Sequence, residues 1–357
     1  MKECFLLSRL LLRFDSPDDD LTGELSAIAH TPDGYLWVGS DEYISIERLS
    51  PTAPYMYGEH KTFHIGDFVP LFDDNEIDIE GIDYSEGYLW FTGSHSTKRK
   101  KPKGKDLEKD LKRLATVTTD LNRFIIARIP LVNGDLVKSG SHPQDKNQTL
   151  TAACLETIDN RNLLIEVLTE DRHIGPFIKS GIPSKDNGFD IEGLAVRGNR
   201  VFLGLRGPVL RGWAILVELE MTESEPGVLT LKPIDEAGKL YKKHFVNLNG
   251  LGVRELCWLE DDLIILSGPT MEVAGEVRLF RLKDALNLED DSISDQDTER
   301  LEILFDLPYT VGGDKAEGLA LVPCLDQARS LLVLYDSPLP NRRPDEHSVY
   351  ADLFRLD

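Results

Sequence analysis

The chain has 357 residues, enough to bury a sizeable core in one large domain or two ordinary ones. Asp and Glu outnumber Lys and Arg 62 to 40, for a formal net charge of −22 and a pI near 4.8. Nucleic acids and anionic membranes need a basic surface, so both are excluded as main partners. Cys4, Cys154, Cys257 and Cys324 are scattered, with no CxxC pair and no histidine at zinc spacing, which fits a reduced, cytosolic compartment.

The N-terminal stretch MKECFLLSRLLLRF is apolar, but Arg9 and Arg13 interrupt it before a signal-peptide core is complete. No run reaches the length of a membrane span, and the stretch reads as a strand of the fold. Beyond it one pattern recurs: a glutamate, an apolar strand, a turn, a second apolar strand and a small or polar exit. GELSAIAHTPDGYLWVGSD starts at Gly23, DIEGIDYSEGYLWFTGSHS at Asp78 and DIEGLAVRGNRVFLGLRGP at Asp190. RELCWLEDDLIILSGPT follows at Arg254 and AEGLALVPCLDQARSLLVLYDSP at Ala316. Asp33-Gly34, Glu86-Gly87 and Gly198-Asn199 supply the positive φ of tight hairpins.

The anchors Glu24, Glu80, Glu192, Glu255 and Glu317 are spaced by 56, 112, 63 and 62 residues. The 41 residues from Glu317 onward and the 23 before Glu24 together make 64, one more repeat length. A repeat of about 60 residues with four strand-like runs is a propeller blade. The expectation is an all-β, single-domain β-propeller over residues 1–357, five-bladed, with its ring closed by the N-terminal strand. The double spacing predicts an oversized second blade with insertions at about 96–120 and 139–175. A sixth blade that has lost its glutamate is the alternative. The first insertion opens with the basic run KRKKPKGK and continues as a short helix, DLEKDLKRLATV. The second holds the helix-like LLIEVLTEDRHIG behind a cap candidate, Asn162. Between them RFIIARIPLV, from Arg123, supplies a third strand, and residues 289–298 read as a solvated acidic loop.

In a propeller the first strand of each blade lines the central channel, and the exit of the second returns to the same mouth. Glu24, Glu80, Glu192, Glu255 and Glu317 would then converge, and carboxylates so close together need a positive partner. One reading is a divalent cation. Ca²⁺ is favoured and Mg²⁺ is second choice, because an irregular oxygen cage suits calcium. No Cys or His recurs at these positions, which argues against zinc. The other reading closes the ring with Arg254, Lys315 and Arg206, or satisfies the glutamates with backbone N–H groups.

The second-strand exits add Ser40-Asp41, Ser94-His95-Ser96, Arg206 with Arg211, Ser267 with Thr270, and Asp336-Ser337. This combination suits a phosphorylated substrate, with a cation to neutralise phosphate and activate water and arginines to clamp oxygens. Arg206, Arg211, Ser94, Arg254 and Lys315 are the substrate-binding candidates, and His95 is the candidate acid or base. A histidine merely hydrogen-bonded in its loop is the competing reading. KRKKPKGK is either a solvated loop or a phosphate-gathering lid. Trp37, Trp90 and Trp258 fall in repeated strands as core. The sequence has no GxSxG, P-loop, GxGxxG or HExxH, so nucleophilic catalysis and dinucleotide binding lack support.

Three segments carry a family resemblance: DIEGIDYSEGYLWFTGSHSTKRKKP, LTEDRHIGPF and KDNGFDIEGLAVRGNRVFLGLRGPVLRGW. Over nearly the whole chain the sequence resembles the bacterial family catalogued as domain of unknown function 3616. At the level of single blades, EGLAVRGNRVFLGLRG is similar to the calcium-activated nucleotidases and their phytase-like and esterase-like propeller relatives. That second resemblance implies five blades, a central Ca²⁺ on glutamates, and hydrolysis of nucleotide diphosphates and triphosphates. Two readings of function stand. One is a cytosolic, metal-dependent hydrolase of phosphorylated or ester substrates. The other is a non-enzymatic propeller that binds a protein or a small ligand, with a central ion or ion pairs purely structural.

Overall fold

The computed structural model describes residues 4–15, 21–308, 310–324 and 327–356. Apolar residues on both faces of most strands make buried, twisted sheets that stack on one another, and the fold is mostly β and propeller-like. Leu25–His30, Leu36–Ser40, Ser45–Ala53 and Met56–His64 form the first antiparallel group. Ile79–Ser85, Tyr88–Gly93, Ile126–Val132 and Ala153–Leu155 form the second. Asp190–Arg197, Arg200–Gly207, Trp213–Glu225 and Tyr241–Asn247 follow, then Gly252–Leu259, Asp262–Gly268, Val277–Leu282 and Leu301–Leu307. Lys315–Cys324, Gln327–Asp336 and Ser348–Arg355 come last, and the N-terminal strand Leu6–Arg13 pairs antiparallel with Ser348–Arg355, Leu10 opposite Ala351. The apolar N-terminal stretch is thus a strand that ties the two ends of the chain together.

Three α-helices among the described residues interrupt this order. Helix α1, Leu107–Leu114, lies between Tyr88–Gly93 and Ile126–Val132 and is capped by the Asp106 side chain. Helices α2, Leu163–Thr169, and α3, Gly175–Ser180, precede Asp190–Arg197. Asn162 caps α2 by accepting from the Ile165 N–H at 3.2 Å. Leu164, Ile165 and Leu168 of α2 and Ile178 of α3 join the core that holds Ile191 and Leu205. Trp37 and Trp90 are fully buried, whereas Trp258 is partly buried beneath the Arg197 guanidinium.

The first strands of the groups pack side by side in cyclic order, from Leu25–His30 through Ile79–Ser85, Asp190–Arg197 and Gly252–Leu259 to Lys315–Cys324 and back to the start. Each carries a β-bulge at the same register. Two residues there oppose one on the neighbouring strand, and the extra residue is Ser26, Glu80, Glu192, Arg254 or Glu317. Glycine follows three of them because the strands approach too closely for a side chain. A Cβ at Gly81 would meet Leu194 Cβ at 2.5 Å, and one at Gly193 would meet Leu256 Cγ at 2.8 Å.

Candidate functional site: a carboxylate funnel at the bulge ring

The bulges set the geometry of the site. Aligned on them, the first strands read ELSA from Glu24, DIEG from Asp78, DIEG from Asp190, GVRE from Gly252 and KAEG from Lys315. Three of the five bulge positions hold glutamate. Ser26 holds the first, donating its hydroxyl to the Ile79 carbonyl, and Arg254 holds the fourth. Two residues upstream lies a second tier of Glu24, Asp78, Asp190 and Lys315. Asp41 and Asp336, at the ends of the second strands, stand beside it.

These tiers open into a cavity of about 610 Å³ lined by Asp41, Asp78, Glu80, Asp190, Glu192, Glu317 and Asp336. The same cavity is lined by basic residues: Lys98, Arg99, Lys100 and Lys101 from the first insertion, with Arg123, Lys185 and Arg206. Part of the acid is neutralised internally. Arg254 Nη1 donates to Glu192 Oε2 and to Glu317 Oε1, each at 3.0 Å. Arg206 Nη1 donates to Glu192 Oε1 at 2.6 Å and lies 3.8 Å from Asp190 Oδ2. Arg123 pairs with Asp78 and with Glu76, each at 2.7 Å, and Lys315 with Asp336 at 3.1 Å. Among the described residues, Asp41, Glu42 and Glu80 line the cavity with no ion pair. One oxygen of Asp41 and one of Asp190 are buried without a hydrogen-bond partner.

Burial and crowding raise the proton affinity of this group. Burial, followed by the charges of Asp78, Glu317 and Asp336, pushes Asp41 up to about 9. Burial and the neighbouring Asp78, Glu192 and Asp190 hold Glu80 well above the carboxylate range. Asp190 is raised by burial and by Glu192, against the pull of Arg206. Glu317 is raised to about 7, first by burial and then by Asp336. Glu192 goes the other way, because Arg206 and Arg254 outweigh its burial. The funnel therefore holds protons near neutral pH where a bound cation would displace them. Its acidic donors are all oxygens, and Glu24, Asp41 and Glu42 place theirs within 4.8 Å of one another. That donor set fits a hard cation.

The structure separates the sequence-predicted residues. Glu80, Glu192 and Glu317 share the bulge ring and the cavity; Glu24 sits one tier away beside Asp41 and Glu42. Glu255 follows the bulge, in the slot filled by glycine in three other strands. It accepts from the Leu194 and Leu256 N–H groups at 2.9 and 2.8 Å, and burial holds its pKa well above the usual range. Arg206 lines the funnel and a smaller adjoining cavity, and Arg254, from the ring itself, and Lys315 line the smaller one. Ser94 is buried, 3.0 Å from Ser96 Oγ and at the edge of reach of Arg123.

His95 turns away from the funnel into a small pocket with Phe124 and Ile178. Its Nδ1–H donates to the Gly93 carbonyl and its Nε2 accepts from Asn162, each at 2.8 Å, and burial lowers its pKa to about 4. Arg211 is exposed in a left-handed turn beside Val209 and Trp213, outside the funnel. Sequence reasoning missed Asp78, Asp190, Arg123 and Lys185. The identical DIEG tetrapeptides were the available signal for the two aspartates.

The chain belongs to the family described as protein of unknown function (DUF3616), matched over residues 24–352. No curated protein matches it. Among solved structures it is similar to a streptogramin B lyase, at 11% identity and TM-score 0.35, covering 99% of this chain and 98% of that one. It is also similar to the PQQ-bound aldose sugar dehydrogenase of Streptomyces coelicolor, at 11% identity and TM-score 0.39, covering 99% and 100%. A DUF4221 member from Bacteroides vulgatus is 9% identical at TM-score 0.38, covering 99% and 98%.

Proposed function

We propose that the chain is a five-bladed β-propeller with a helical insertion in its second blade, and that its funnel binds a divalent cation, Ca²⁺ before Mg²⁺, together with a phosphorylated small molecule. One observation carries this reading. Asp41 and Glu80 line the cavity with no ion pair among the described residues, and Lys98, Arg99, Lys100 and Lys101 line the same cavity. Asp41, Glu80, Glu24 and Glu42 would hold the cation. Arg206, whose Nε and Nη1 are taken by Thr270 and Glu192, would offer phosphate its Nη2, and the lysines would draw the anion in. When bound, the cation supplies charge neutralisation and a water of lowered pKa. Glu317, at about 7, is suited to take or give a proton there, the role that His95 cannot reach. Four free cysteines suit a cytosolic setting.

A second reading, a non-enzymatic binding propeller, is favoured by Arg206 and Arg254, which already neutralise Glu192 and part of Glu317. In that case the ring is a structural ion-pair network. Thermal melts of EDTA-treated protein with Ca²⁺ or Mg²⁺ test the cation site. Phosphate release from nucleotides and phosphomonoesters in Ca²⁺ then separates the readings. A Ca²⁺ shift with turnover supports the hydrolase, and a shift without turnover supports the binding module. No shift with either ion rejects the cation.

A further inference from the structure

A second cavity, of about 240 Å³, opens beside the funnel and shares Lys185, Arg206, Glu272 and Glu317 with it. Its two ends differ in character. At the inner end stand Arg254 and Lys315. The outer end is built by two loops, residues 269–276 and 310–314, whose Met271, Val273 and Val311 are 48%, 58% and 77% exposed. Apolar side chains held in solvent around a concave mouth mark a ligand site more often than a free surface. The acidic groups nearby are engaged. Asp314 pairs with Arg342 at 3.0 Å, and Glu272 lies between Lys185 and Lys315 at 3.3 and 3.6 Å.

The bulge ring also holds the apolar loop in place. Arg254 Nη2 donates to the Pro269 carbonyl at 3.3 Å and Arg206 Nε to the Thr270 carbonyl at 3.0 Å. The two arginines that neutralise Glu192 therefore anchor the segment that presents Met271 and Val273. An anion held by the arginines would lie beside an apolar wall. We infer that this cavity is a subsite for the apolar part of an anionic ligand, an aryl or short-chain alkyl phosphate. Its charged end lies in the funnel at Arg206 and Lys185, and its apolar end against Met271, Val273 and Val311. The inference rests on the funnel reading for the charged end and adds the class of group attached to it.

Calorimetric titration of the full chain in saturating Ca²⁺ compares phenyl phosphate with inorganic phosphate. Phenyl phosphate is expected to bind about tenfold more tightly. Val311→Asp and Met271→Ser lie on exposed loops and leave the core intact. Each is expected to bring phenyl phosphate to the affinity of inorganic phosphate, which itself does not change. Equal affinities in the wild type, or a preference that survives both substitutions, overturn the subsite. If neither ligand binds, the funnel reading falls, and 8-anilinonaphthalene-1-sulfonate without metal decides the subsite alone. Saturable fluorescence lost in Val311→Asp upholds it, and fluorescence that is absent or unchanged rejects it.

Discussion

The guanidinium of Arg254 lies 3.0 Å from the carboxylate of Glu192, and the two residues occupy the same bulge position on neighbouring inner strands. A cation is thus built into the ring where the repeat elsewhere places glutamate. It serves Glu192 and Glu317 on either side. Glu80 stands between Ser26 and Glu192 and receives no such partner. The asymmetry divides the funnel into a half neutralised by arginine and a half, at Asp41 and Glu80, without an ion pair among the described residues.

Arg254→Met removes the shared partner of two carboxylates. Breaking a buried pair from one side typically costs about 3–5 kcal/mol. Guanidinium unfolding of the variant should show a loss of that size at pH 8 and a smaller one at pH 5, where the stranded glutamates take up protons. A loss below about 1 kcal/mol at pH 8 would place Arg254 among ordinary surface pairs.

Stability without added cations should fall as pH rises. Between its unfolded value of 4.5 and about 7, Glu317 is protonated in the fold and ionised in the unfolded chain. The native state then binds more protons, so each rise in pH favours unfolding. Asp41 extends the same trend from 3.8 to about 9. Glu192 contributes with opposite sign, but only in acid, where its depressed pKa is crossed. Calorimetric melts in EDTA should therefore move to lower temperature from about pH 6 to about pH 9. Ca²⁺ should flatten the slope and release protons on binding. A midpoint that stays level or climbs over this range in EDTA would contradict the raised carboxylates.

Glu80→Gln keeps the shape and removes the carboxyl that has no ion pair. In EDTA the variant should melt higher than the wild type, because burial no longer has to suppress a charge. In Ca²⁺ the order should reverse. A site filled at 100 times its dissociation constant adds about 2.7 kcal/mol to the wild type, and most of that should be missing from the variant. Equal Ca²⁺ shifts in both proteins would remove Glu80 from the ligand set.

The repeat was legible because each unit spells a strand, a turn and a second strand with turn residues between them. The N-terminal strand's place in the ring was legible from repeat length. The register was not. A ruler based on residue type aligned Glu24 and Glu255 with the true bulge glutamates, whereas hydrogen-bond register aligns Ser26 and Arg254. A bulge adds one residue without a marker in the sequence when that residue is not acidic. The same limit misplaced His95. At the end of a strand one step of the chain decides whether a side chain enters the funnel or the neighbouring core, and at φ 56° His95 takes the second.

The basic insertion offers a last test, since its two readings differ in one measurable way. Residues 98–113 contain nine Lys or Arg against three acids, in a chain of net charge −22. Lys98 is taken by Glu76 and Asp120, and Arg99 by Asp186 at 2.8 Å. Lys100 and Lys101 are exposed, line the funnel and make no ion pair among the described residues. A solvated loop could lose them at no cost, whereas a collecting wall could not. Lys100→Glu with Lys101→Glu should leave stability within about 0.5 kcal/mol, as expected of exposed positions, and should leave the Ca²⁺ shift intact. Inorganic phosphate should bind the Ca²⁺-loaded variant about tenfold more weakly, with a shallower dependence on salt than the wild type shows. An unchanged phosphate affinity would return the run to a solubilising role and leave Arg206 to hold the anion alone.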